Sequence, residues 1–265
     1  ISAVALPSVA AVRYEFEQVT RYDSALTPPA RFIGRAVIDG NRSRVDYLDG
    51  STAGNGKYVL STSTSAVLYL VDPASKSYIE TDQSGATAST ANRLDIKISN
   101  FKSGMEDLGA SEPIAGHPTH RYRLTTTYNI TIRVGGLALG KNVRTVVEKW
   151  TTPAFPEIEA MMLDDVMVTG NQNLDRLIQE ETSKIPGFPL RQVISVETRT
   201  DDRRLRQSSV LQFNQTRTQQ TEMIVRRIER TSVPSAMFEL PAGFRRQEAR
   251  GKEEKPQIHI LHLEE

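Results

Sequence analysis

The chain has 265 residues, 38% of them hydrophobic and 25% charged, with 33 basic against 32 acidic side chains for a net charge of +1, and no cysteine. That length fits one large all-β or α+β domain, or two small ones, and buries about three quarters of the extended chain's surface without disulfide staples. The missing cysteines exclude thiol catalysis, cysteine zinc sites and iron–sulfur clusters, and the balanced charge removes whole-chain electrostatics as a reason to expect nucleic acid.

The opening run ISAVALPSVAAV is apolar, contains Pro7 and stops at Arg13, too short to span a bilayer. With Ile1 in place of an initiator methionine, it reads as the end of a signal-peptide hydrophobic region, Ser8-Val9-Ala10 resembling a small-residue cleavage site, or as an ordinary apolar arm over residues 1–11. Export to the periplasm or outer envelope of a bacterium is the expectation.

From Val12 onward the dominant period is two. Val12, Tyr14 and Phe16 alternate with Arg13, Glu15 and Glu17, and further strands are predicted around residues 31–39, 43–48, 57–62, 66–71 and 76–81,. Asp39-Gly40-Asn41 and Asp72-Pro73-Ala74-Ser75 supply turn chemistry between them,. Asp49–Gly56 is a glycine-rich turn, and Thr81–Asn92 is a small, polar loop with little to bury,. In RYRLTTTYNITIRV, the residues Tyr122, Leu124, Tyr128, Ile130, Ile132 and Val134 share one face, and Arg121, Arg123, Thr125, Thr127, Asn129, Thr131 and Arg133 the other,.

Gly135-Gly-Leu-Ala-Leu-Gly140-Lys141-Asn142 nearly spells a phosphate-binding loop. Asn142 replaces the magnesium-binding hydroxyl, and the alternation after it is that of a strand instead of a helix, so a hairpin is expected. Trp150 ends VVEKW as a core or sheet-rim anchor,. From Pro156 to Ile185 the apolar residues fall at helical spacing, with Gly170-Asn171 dividing two short helices and Pro186-Gly187-Phe188-Pro189 stopping the second,. Strands are expected again near 190–200, 206–217 and 221–231. The main domain runs over residues 12–244, followed by a mixed-charge linker at 245–257 and a strand-like apolar tail carrying Ile258, Ile260, Leu261 and Leu263.

No catalytic set emerges. The pairs His117/His120 and His259/His262 have three-residue spacing, which in extended chain sends the members to opposite faces, so neither pair grips a metal by itself,. There is no Gly-x-Ser-x-Gly elbow, and Asp164-Asp165 are helix neighbours that do not face one another,. No cofactor is predicted. The late arginines (Arg199, Arg203, Arg204, Arg206, Arg217, Arg226, Arg227 and Arg230) read first as a salt-bridged sheet face, and second as a surface for anionic lipid headgroups or an acidic protein,. Met161, Met162 and Met167 sit in the helical insertion, where flexible thioethers suit either gap filling or a lid over a varied apolar guest,.

The phrases VLYLVDPASKSYIE, PIAGHPTHRYRLTT, VVEKWTTPAFPEI, IPGFPLRQVISVETR and TSVPSAMFELPAGF, in that order, resemble an uncharacterised bacterial envelope family grouped with the LolA and LolB lipoprotein carriers. The resemblance covers roughly residues 12–244 and implies a strongly curved antiparallel sheet, a half-barrel whose apolar concave face is covered by helices. The fold class expected is therefore α+β, mostly β. Periodicity leads the same way, because a wide sheet with one apolar face needs a second layer and the 156–185 insertion is the available cover. The candidates for lining a cleft are Tyr122, Leu124, Tyr128 and Ile130 from the sheet and Met161, Met162, Met167, Leu174, Leu177 and Ile178 from the lid.

Three functions follow as expectations. The first is a non-enzymatic binder of a lipid or acylated protein. The second is an accessory subunit docked on a membrane complex through its C-terminal tail. An enzyme comes third, since no residues fill the roles of nucleophile, base and stabiliser.

Overall fold

The computed structural model describes residues 11–23, 27–51, 54–62, 67–82, 95–134, 137–158, 172–200 and 216–247. Among the described residues twelve strands make one sheet: β1(Ala11–Tyr22), β2(Ala30–Asp39), β3(Arg42–Asp49), β4(Tyr58–Ser61), β5(Val67–Asp72), β6(Ser77–Asp82), β7(Asp95–Ile114), β8(His117–Val134), β9(Leu137–Thr152), β10(Phe188–Thr200), β11(Thr216–Thr231) and β12(Arg245–Gln247). Their order is β12-β6-β5-β4-β3-β2-β1-β11-β10-β9-β8-β7, antiparallel throughout except for β12 against β6. One α-helix, α1(Gln172–Thr182), and the 3-10 turns Pro156–Ile158 and Ser235–Phe238 complete the described elements. The expected fold class, mostly β with a large curved antiparallel sheet and little helix, is what is found.

Several expectations are corrected. Pro156 opens a 3-10 turn where an α-helix was expected, and residues 159–171 lie outside the described residues. β7 went unpredicted because bulges between Ser99/Lys102, Asp107/Ala110 and Ser111/Ile114 interrupt its alternation,. Of the strands expected near 206–217 and 221–231, residues 206–215 lie outside the described residues, and the turn expected between the two is absent, since the polar Thr218-Gln219-Gln220-Thr221 run stays in β11 and pairs with β10. Arg245–Gln247, read as linker, adds the short parallel strand β12.

The ladder explains why this sheet bends. In a flat sheet the ten inter-strand spacings from β6 to β7 would separate them by roughly 48 Å,. The registers also shift the end of β6, level with Ala11, about 18 residue rows from the start of β7, nine rows beyond Leu124, or roughly 60 Å along the strands,. The chain from Asp82 to Asp95 reaches at most about 45 Å,. A flat sheet cannot be joined this way, so the sheet rolls and shears towards a barrel.

Directly paired residues project to one side, so the registers define the faces. Thr20, Thr221, Ile194, Val147, Leu124 and Met105 form one row. Their side carries α1 and is the inner face. On the outer face of the β7–β11 half the charges pair, as at Arg123–Glu148 and Arg191–Glu222. In the β2–β6 half the outer face is apolar too. Val37, Tyr58, Leu60 and Val71 bury themselves there under Phe238, with Val233, Met237, Leu240 and Phe244 around it. This second cover was not foreseen, although the unbroken apolar run VLYLVD is what a strand buried on both faces requires.

Candidate functional site

The sheet candidates do share the inner face. Tyr128 and Ile130 of β8 pack with Val143 of β9 and Val196 of β10, and Leu174 and Ile178 of α1 close over them. The i, i+4 spacing of Leu174 and Ile178 puts both on one helix stripe, and they are 1% and 3% exposed. Leu124 joins Val147 and Ile185, with Tyr122 and Ile194 beside them. Leu177 is half-buried and stands outside both clusters. Met161, Met162, Met167, Asp164 and Asp165 lie outside the described residues, as do the tail candidates Ile258, Ile260, Leu261 and Leu263. Under α1, then, side chains fill the space between helix and sheet.

The inner face extends well past the helix. An eleven-residue helix is about 16 Å long and about 10 Å wide, enough to cover two or three strand spacings,. Beyond it runs a file of rings in edge or tilted contact. Tyr14 and Phe16 are 5.8 Å apart, Phe16 and Phe32 5.5 Å, and Phe32 and Tyr47 5.4 Å. Gly34 makes this close stacking possible: a β-carbon there would lie 2.5 Å from Phe16 Cζ. Tyr47, Leu70 and Ile79 are buried alongside, while Phe16, Phe32, Val45 and Val59 remain half-buried. This file was only partly legible in the sequence. Phe16 shows in the first strand's alternation, but its alignment with Phe32 and Tyr47 is a matter of register.

Polar groups interrupt the wall at its middle rows. Thr20 and Thr221 hydroxyls bond at 3.1 Å. Gln18 Nε2 and the hydroxyl of the buried Thr145 have no hydrogen-bond partner among the described residues. A mostly apolar wall with a few polar handles suits an amphiphile better than a small polar substrate.

Many of the charged groups elsewhere are engaged with one another. Hydrogen bonds from Arg31 and then Arg226 hold the Glu17 carboxyl below its ordinary pKa. Burial pushes the Glu148 carboxyl up, but hydrogen bonds from Arg121 and Arg123 outweigh it and the net shift is downward. His120 Nε2 lies against Asp107 Oδ1, which holds the Asp107 carboxyl low, and its ring tilts on Tyr122. Burial and then the Asp107 charge push the Tyr122 phenol up. Trp150 is buried, donates Nε1–H to Ser111 Oγ, and has the guanidiniums of Arg121 and Arg191 at 4.7 and 4.5 Å from its ring centre. Among the described residues no cluster of metal-ligating side chains occurs. Of the late arginines, Arg226 pairs with Glu17, Arg227 with Glu229 and Arg230 with Glu157, whereas Arg199 and Arg217 have no carboxylate partner among the described residues and Arg203, Arg204 and Arg206 lie outside them.

No protein-family model matches the chain, and no curated protein matches it. Among solved structures it is similar to the LolA superfamily protein NE2245 from Nitrosomonas europaea, at 8% identity and a TM-score of 0.30, over 89% of this chain and 92% of that one. The fold class of the present chain rests on its own strand pairing.

Proposed function

We propose that the protein is a non-enzymatic binding protein of a bacterial envelope compartment that holds an apolar ligand, a lipid or the acyl chain of an acylated protein, against the inner face of its sheet. The observation that carries this reading is the half-buried wall of Phe16, Phe32, Val45 and Val59, which continues past the reach of α1. Side chains close the gap beneath α1, so the guest lies beside the helix on the β1–β4 wall. The unpartnered Gln18 amide offers a hydrogen bond to an ester or carboxyl oxygen at the polar end of the chain.

Each methylene laid on such a wall gains about 0.8 kcal/mol, or roughly fourfold in affinity. Native mass spectrometry of protein purified without detergent, followed by titration with fatty acids of increasing length, tests the reading. The expected result is a bound lipid mass, affinity rising several-fold per added methylene, and loss of both in Phe32→Asp. A ligand-free protein indifferent to chain length would reject it.

A further inference from the structure

A cleft of about 400 Å³ lies on the outer face of β7–β10, away from the inner wall. Two rows of the ladder build it: Lys102–Thr127–Arg144–Glu197 and Asn129–Asn142–Arg199. Each row is one residue out of phase with Tyr128–Val143, whose side chains pack under α1, so these side chains project from the opposite face,.

Its electrostatics differ from those of the surrounding sheet. On the same strands Arg121 and Arg123 are held by Glu148, and Arg191 by Glu222. Among the described residues Lys102, Arg144 and Arg199 hold no carboxylate. Glu197 faces Arg144 across β9–β10 without forming an ion pair, which leaves three positive charges against one negative. Arg144 and Arg199 are diagonal neighbours, about 7–8 Å apart between backbones,. Both side chains are exposed, and at that backbone spacing their long stems can converge on one anion,.

We propose that this cleft binds a phosphate ester. Two guanidiniums give forked hydrogen bonds to phosphate oxygens, and Lys102 adds a point charge. The Asn129 and Asn142 amides and the Thr127 hydroxyl are available for the remaining oxygens. The volume is in the range of small-molecule sites. A soluble phosphate ester and the headgroup of an anionic phospholipid present the same chemistry, and a headgroup here would set the rolled sheet's outer side against a membrane while the inner wall holds its guest.

The experiment titrates the full chain with glycerol phosphate by calorimetry and sediments it with vesicles of phosphatidylglycerol or of phosphatidylcholine. Binding of the soluble probe, or salt-sensitive sedimentation with phosphatidylglycerol alone, supports the site and tells the two sources apart. Arg144→Gln/Arg199→Gln lowers the affinity roughly tenfold or more, whereas Glu197→Gln raises it several-fold. No binding of either probe, or unchanged affinity in the double variant, overturns the proposal. If the double variant does not fold, Glu197→Gln decides: tighter binding supports the site and unchanged binding overturns it. Fatty-acid binding at the inner wall, measured on the same variants, stays at its wild-type level, so failure of either site is seen separately.

Discussion

The double substitution Leu174→Ala/Ile178→Ala tests how α1 is held. Isolated helices shorter than about 12–15 residues are marginal in water, so the eleven residues of α1 depend on docking. Leu174 and Ile178 are its described residues in the cluster with Tyr128, Ile130, Val143 and Val196. Truncating a fully buried Leu or Ile costs about 2–5 kcal/mol, so the pair removes roughly 5 kcal/mol or more. That matches the docking of a two-residue stripe, while β8 and β9 stay hydrogen-bonded on both sides. The helix should therefore detach without unfolding the sheet. Amide hydrogen exchange should show α1 losing protection by roughly several thousandfold while β8–β10 keep theirs, and a neutral naphthylamine dye should gain fluorescence on the newly bared Tyr128, Ile130 and Val143. Unchanged exchange in α1, or equal loss of protection in helix and sheet, would refute the view that these two side chains anchor a separable lid.

Other consequences are as specific. The folded pKa of Glu148 lies below its ordinary 4.5, so its ion pairs contribute fully above about pH 4.5 and are lost as pH falls through the lowered value. The difference in melting temperature between wild type and Glu148→Gln should be largest above that pH and shrink below it; a constant difference from pH 7 to pH 2 contradicts the assignment. Gly50→Ala places a methyl 1.8 Å from the Arg31 carbonyl oxygen at φ +71°, whereas Gly40→Ala at φ +58° meets open space. In urea titration the first should cost more than about 2 kcal/mol of stability and the second about 1 kcal/mol, and equal effects would sink the steric reading. Trp150→Phe forfeits the bond to Ser111 and weakens two cation–π contacts. It should destabilise by about 1–3 kcal/mol in urea titration, and a neutral outcome would mean that the guanidiniums sit there only for their carboxylates.

The face of β8 was legible because strict alternation survives where a strand has one buried side, and the strands from β2 to β6 because short apolar runs are set off by turn residues such as Asp39-Gly40-Asn41 and Asp72-Pro73-Ala74-Ser75,. β7 was hidden by three bulges that reset its period, and the polar centre of β11 gave no apolar beat to follow. The cover over Tyr58, Leu60 and Val71 was missed because it comes from the C-terminal segment around Phe238, far along the chain. Half of the candidate site was readable on the same terms. Tyr122, Leu124, Tyr128, Ile130, Leu174 and Ile178 follow local periods of two and of 3.6. The wall from Phe16 to Tyr47 and the outer cleft depend on which residues face each other across the ladder. Lys102, Arg144 and Arg199 are unremarkable polar positions on three strands until registers, set partly by bulges, bring them together.

A spin-labelled fatty acid would probe the central claim most directly, read by paramagnetic broadening of side-chain resonances. With the nitroxide near the end of the acyl chain, the rings of Phe16, Phe32 and Tyr47 and the methyls of Val45 and Val59 should broaden strongly, and Leu60 and Val71 of the outer face should stay sharp. Broadening confined to the outer face, or spread evenly over both, would contradict an acyl chain lying along the inner wall.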